Sequence, residues 1–177
     1  MTTPDPTDAD FVRELGELLV DLGVRPTVTS RRMAPSTLHD MSYHVAMVAC
    51  AIREHGHGDP VRILAPWLKL LQFVAARPAL VSKLKTYAAA RRGYDQANWS
   101  LMPRGYLGDE THDGVVDLLV ASSILSRDGD QLVSGERFDY LAKLSSKIVQ
   151  LGLFARERAI LAELRELRPS RPMLGGR

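Results

Sequence analysis

The chain has 177 residues, of which 45% are hydrophobic and 25% charged, with a formal net charge of +2. That composition excludes wholesale disorder and allows a sizeable core, while so small a net charge does not by itself mark a nucleic-acid binder. A single cysteine, Cys50, excludes an internal disulfide framework and fits a reducing compartment.

Residues 1–7 read as a flexible tail, and the opening MTTPDPTDAD is acidic and proline-rich, unlike a signal peptide. A single domain is expected over residues 8–168. Asp8 or Asp10 caps a first helix whose Phe11, Leu15, Leu18, Leu19 and Leu22 recur at helical spacing, with Gly23 as its stop. Six acids and one base lie between Asp5 and Asp21, so its outer face is acidic. Val24 to Pro35 is a connector. Ser36 or Thr37 opens a helix with the stripe Met41, Val45, Val48, Ala49 and Ile52, ended by His55-Gly56-His57-Gly58. Asp59 and Pro60 suit the start of another helix over Val61 to Ala76, with Arg62, Lys69 and Gln72 on a narrow polar stripe. Pro66 requires that helix either to kink or to begin there. Pro78 starts a further helix to about Arg92, with Leu80, Val81, Leu84 and Ala88 inward. Tyr94 to Gly108 has no clear periodicity.

Gly108 to Gly135 is the most informative stretch. Asp109 or Thr111 caps a helix with Val115, Val116, Leu118, Leu119 and Val120 as its apolar face. A hairpin over 124–134 follows, with Asp128-Gly129 as the expected type I′ turn. Glu136 to Gln150 is amphipathic through Phe138, Leu141, Leu144 and Ile148. After Gly152, a last helix uses Ile160, Leu161, Leu164 and Leu167, and residues 169–177 read as a disordered tail. The expected fold is mainly α, a winged-helix-like core with one β-hairpin and flanking helices.

Catalytic signatures are missing: there is no P-loop, no G-x-G-x-x-G after a strand and no G-x-S-x-G elbow. Cys50 falls on a buried stripe, where a thiol is usually inert. His39 with His44, and His55 with His57, match no recognised metal spacing and read as helix-surface and loop histidines. No enzyme activity, cofactor, metal or small-molecule substrate is expected. No membrane-length apolar run occurs, so the expected location is cytoplasmic, with no membrane partner.

Charge distribution separates two surfaces. Between Arg77 and Arg104 six bases stand against one acid, interleaved with Tyr87, Tyr94 and Trp99 and followed by Tyr106. Lys83, Lys85, Arg91, Arg92 and Arg104 are therefore candidate nucleic-acid contacts. The helix that would read DNA is the opposite: Asp109 to Ser123 carries Asp109, Glu110, Asp113 and Asp117 and no lysine or arginine. Phosphates would be repelled by such a face. Asp113 and Asp117 read instead as partner-docking residues.

HVAMVACAIREHG (44–56), VRILAPWLKLLQFVAARPAL (61–80), DGVVDLLVASSILSRDGDQLV (113–133) and RFDYLAKLSSKIVQLGLFARERAIL (137–161) together resemble the small middle components of bacterial ABC three-component defence systems, the Lamassu-like anti-phage group. The resemblance covers roughly residues 41–165 and includes a late R-x-R-A element, Arg156-Glu157-Arg158-Ala159. It implies a non-catalytic adaptor bridging an SMC-like or Rad50-like ABC ATPase and an effector, often a nuclease, with Arg156 and Arg158 as further docking candidates. The alternative is a dimeric winged-helix DNA-binding transcription regulator, with the closing helices forming the dimer.

Overall fold

The computed structural model describes residues 41–89 and 110–169. Among them are six helices, α1 (Met41–His55), α2 (Ala65–Ala75), α3 (Val81–Ala89), α4 (Glu110–Ala121), α5 (Asp139–Gln150) and α6 (Ala155–Glu163), and three strands, β1 (Arg62–Leu64), β2 (Leu125–Asp128) and β3 (Gln131–Ser134). The expected first helix, the Val24 to Pro35 connector, the Tyr94 to Gly108 stretch and both tails, save Pro169, lie outside the described residues.

The expected helical start at Asp59-Pro60 is not observed. Arg62–Leu64 is instead a strand, antiparallel to β3 with Arg62 opposite Val133 and Leu64 opposite Gln131. Pro66 supplies the reason. It has no N–H to give to the carbonyl of Arg62, but the first turn of a helix asks for none, and α2 begins at Ala65 with the proline inside that turn. The freed residues upstream pair with the hairpin. Val61 and Ser134 close that junction twice, Ser134 N–H donating to the Val61 carbonyl at 2.8 Å and Val61 N–H donating to Ser134 Oγ at 3.1 Å.

The hairpin forms as expected, but its turn lies one residue further on. Asp128 pairs with Gln131, so the central residues are Gly129 and Asp130. Gly129 has φ +58° and Asp130 is not in the left-handed region. Positive φ at the first position alone, occupied by glycine, is the type II′ pattern, which suits the right-handed twist of the strands as well as type I′ does. β3 lies in the middle of the sheet, in the order β1-β3-β2. The succession α1, β1, α2, α4, β2, β3 is that of a winged helix, with α3 and the following chain inserted ahead of α4 and with α5 and α6 appended.

Helix α1 is the axis of the core. Every residue from His44 to Ile52 is buried, because α2, α4, α5 and α6 all pack against it. The five-residue stripe expected from the sequence was too narrow for a helix enclosed on all sides. Ile160, Leu161 and Leu164 of the closing segment belong to the same continuous cluster. Their apolar spacing therefore serves the internal core. No helix among the described residues is long and apolar enough to cross a membrane.

Two Schellman closures set the path after α4 and α5. Ile124 N–H donates to the Leu119 carbonyl and Ser123 N–H to that of Val120, both at 3.0 Å. Leu153 N–H to Ile148 and Gly152 N–H to Val149 repeat the pattern. Gly152 occupies the left-handed position of the second, at φ +69°, but Ser123 occupies that of the first, at +58°. A serine there gives up the conformational freedom that glycine has. Ser123→Gly is expected to raise stability by about 0.5–1 kcal/mol, read as a melting temperature higher by roughly 1–4 °C.

Candidate functional site: the outer face of α4 and the hairpin

Helix α4 stands where a winged helix presents its reading helix. Val115, Val116 and Leu119 are buried, and Leu118 and Val120 are half-buried, so the opposite face looks outward with Glu110, Asp113, Gly114 and Asp117 exposed. Glu110 and Asp113 fall in its first turn, where carboxylates complement the helix dipole. The hairpin adds exposed Arg127, Asp128 and Asp130.

Cross-strand and interhelical ion pairs brace this acidic face. Asp113 accepts from Lys69 Nζ at 2.6 Å, and Asp117 accepts from Arg127 at 2.7 Å. Arg62 of β1 donates to Asp128 at 2.8 Å and to Gln131 at 3.2 Å. The Asp117–Arg127 and Asp128–Arg62 pairs are exposed at both ends and contribute at most about 1 kcal/mol each. Their effect is mainly geometric. Arg62 and Arg127 are each hydrogen-bonded to a carboxylate of this surface.

Beneath α4 lies a polar junction built from α1, α2 and α4. Lys69 and Gln72, two residues of the narrow polar stripe expected on this helix, are 9% and 5% exposed. They stand one turn apart on α2 and face the adjacent His112 and Asp113 of α4. His112, 2% exposed, bonds through Nδ1 to Gln72 Oε1. Since that oxygen can only accept, the His112 nitrogen carries the proton. Gln72 Nε2 in turn donates to the His44 carbonyl at 3.2 Å. Three helices, α1, α2 and α4, are thus joined through one buried amide. The available signal was the matching of two polar residues on α2 with two adjacent ones on α4, but only the fold shows that they meet.

The histidines also differ from expectation. His44 and His55 are each 4% exposed, so neither is a helix-surface group, whereas His57 is exposed; His39 lies outside the described residues. His55 Nε2 is 2.9 Å from the Leu161 carbonyl and must donate to it. Its ring stands edge-on to Trp67. Burial lowers its pKa from the usual 6.5, an effect that the Leu161 hydrogen bond and Glu54 only partly oppose. Below pH 6.5 the unfolded chain takes up a proton at this position that the folded chain resists. The stability contributed by neutral His55 is therefore complete above pH 6.5 and falls as the pH drops below it. Denaturant midpoints followed downward from pH 7 should show this loss, with a shallower slope in His55→Gln.

Cys50 is 1% exposed, and burial pushes its thiol up to about 11, which fits an inert core residue. Burial, with Glu157 adding to it, likewise raises the Tyr43 hydroxyl to about 12. Among the described residues no group of three or more His, Cys, Asp or Glu is placed to hold a metal ion.

The remaining candidates separate. Lys83 is exposed on α3, but Lys85 is tied to Glu163 of α6 at 2.5 Å. Arg91, Arg92 and Arg104 lie outside the described residues. Arg156 is exposed at the start of α6, while Arg158 turns inward, its Nε donating to the Leu153 carbonyl at 2.8 Å. Asp113 and Asp117 therefore share one outward face, and the two arginines do not act alike. The chain matches no protein-family model, no curated protein and no solved structure.

Proposed function

We propose that this chain is a non-catalytic adaptor of a bacterial anti-phage defence complex, bridging an SMC-like or Rad50-like ABC ATPase and an effector protein. The observation that carries the reading is the outward face of α4. In the position from which a winged helix reads DNA, it offers Glu110, Asp113 and Asp117. Coulomb repulsion disfavours a phosphate backbone there and favours a partner protein with basic side chains. The resemblance of residues 41–165 to middle components of Lamassu-like systems supplies the identity of the proposed partners. Arg156 offers a separate exposed contact at the other end of the molecule's chain order, and Lys83 an ancillary contact to nucleic acid.

The element order of a winged helix favours a second reading, a dimeric DNA-binding regulator. That reading needs a surface for the dimer, and the closing helix spends Ile160, Leu161 and Leu164 on the internal core. Co-expression with the neighbouring reading frames distinguishes the two. The adaptor should co-elute with an ATPase through size exclusion, whereas recovery as a stable lone monomer would remove the basis for the proposal.

A further inference from the structure

A trough of about 250 Å³ runs between the C-terminal half of α1 and the N-terminal half of α5, floored by Ile52, Val61, Phe138 and Leu141. It is open to solvent, and smaller than the clefts of roughly 300–1,000 Å³ that enclose small ligands, so a side chain carried by a larger partner suits it better. At about 30 Å³ per water, roughly eight waters would leave an apolar floor when it is filled.

The apolar surface continues along α5. At about 100° per residue, Phe138, Ala142 and Val149 lie within about 40° of one another, beside the buried seam of Leu141, Ser145 and Ile148. Phe138 is half-buried, Ala142 is exposed, and Val149 is 37% exposed. From Phe138 to Val149 this strip is about 17 Å long, roughly three helical turns. Neither the core nor the face of α4 accounts for it. Such a strip seats another helix, one with apolar side chains at i, i+4 and i+7.

Charge selects among helices. Arg53 borders the trough from α1, and Lys143 borders its continuation along α5. Among the described residues neither is ion-paired, although Asp139 stands one turn before Lys143. Arg53 donates to the neutral Ser146 Oγ at 3.1 Å, while Glu54 beside it pairs with Arg165. Exchanging that hydroxyl for a carboxylate would strengthen the bond. Lys147, on the same continuation, is already engaged. A second copy of this chain is a poor occupant. Two troughs face to face would set Arg53 and Lys143 against their equivalents, and the acidic helix α4 turns Val115, Val116 and Leu119 into its own core. A phosphate backbone would use the cations but leave the apolar floor wet.

We propose that the α1–α5 trough docks an amphipathic helix of a partner protein, its apolar stripe on Ile52, Phe138, Ala142 and Val149 and its Asp or Glu side chains on Arg53 and Lys143. The inference does not rest on the adaptor reading, which concerns the face of α4.

Selection from a phage-displayed library of random peptides about sixteen residues long, against the full-length chain, tests this. Enriched peptides should carry large apolar residues at i, i+4 and i+7 with Asp or Glu beside them. Synthesised and followed by fluorescence anisotropy, they should bind about tenfold more weakly to Arg53→Glu with Lys143→Glu, and to Ala142→Glu, which places a carboxylate in the trough. Lys83→Glu, exposed on α3, should leave their affinity unchanged. Melting temperatures of the variants separate lost docking from lost folding. No enrichment, enrichment of basic peptides alone, or binding indifferent to both trough variants would overturn the proposal. So would self-association in sedimentation equilibrium that Ala142→Glu abolishes, because the trough would then belong to a second copy.

Discussion

Gly135→Ala should be among the most damaging single-methyl additions to this protein, at about 2–4 kcal/mol, read as a denaturation midpoint lowered without a change in slope. A β-carbon at this position runs into the carbonyl oxygen of Ser123 and lies 2.9 Å from its carbonyl carbon. The obstacle is backbone, not the end of a flexible side chain. It is also fixed from several directions. Gly135 N–H donates to the Ile124 carbonyl and Arg137 N–H to the Ser123 carbonyl, both at 3.0 Å, while Ser123 is held in the left-handed region by the closure of α4. Relief would require the end of α4 to part from the return of the hairpin. Gly129→Ala, by contrast, meets no atom within 4 Å and should cost only the strain of its positive φ, about 1 kcal/mol. Comparable losses for the two variants would contradict the close approach at Gly135.

Leu161→Ala carries the second large effect. Its side chain is wholly buried where α6 meets the core, and truncation leaves a cavity costing about 2–5 kcal/mol, a fall in melting temperature of roughly 5–15 °C for a chain of this size. The variant also separates two roles for the closing helix. In a dimerising helix the substitution would chiefly change the concentration dependence of melting. In a helix packed on α1 and α2, with His55 bonded to the Leu161 carbonyl, it lowers stability at every protein concentration.

These variants also show how far the sequence could be read. The helix and hairpin from Glu110 to Ser134 were legible because periodicity near 3.6 gave way to a glycine turn between short β-prone runs. The turn was misplaced by one residue because Asp-Gly and Gly-Asp both satisfy local turn chemistry, and cross-strand register decides between them. β1 was hidden: three residues ahead of Pro66 carry no period, and only pairing with β3 makes them a strand. The acidity of the α4 face was visible by counting. Lys69, Gln72 and His112 were not recognisable as a buried junction, since polar residues on an apolar helix read as solvated until a second helix supplies their partners. The same limitation applied to His44 and His55, whose burial depends on helices distant in sequence.

The proposed adaptor role requires that the outward face of α4 meet a protein and not DNA. It is tested most directly by Glu110→Lys with Asp117→Lys, two exposed changes on the face of α4, in the chain co-expressed with its neighbouring reading frames. The expected result is loss of co-elution with the ATPase, with folding stability unchanged within about 1 kcal/mol, and no sequence-specific duplex binding by the unaltered chain. Tight, steeply salt-dependent binding of a specific duplex by the unaltered chain, lost on Asp117→Ala, would contradict it.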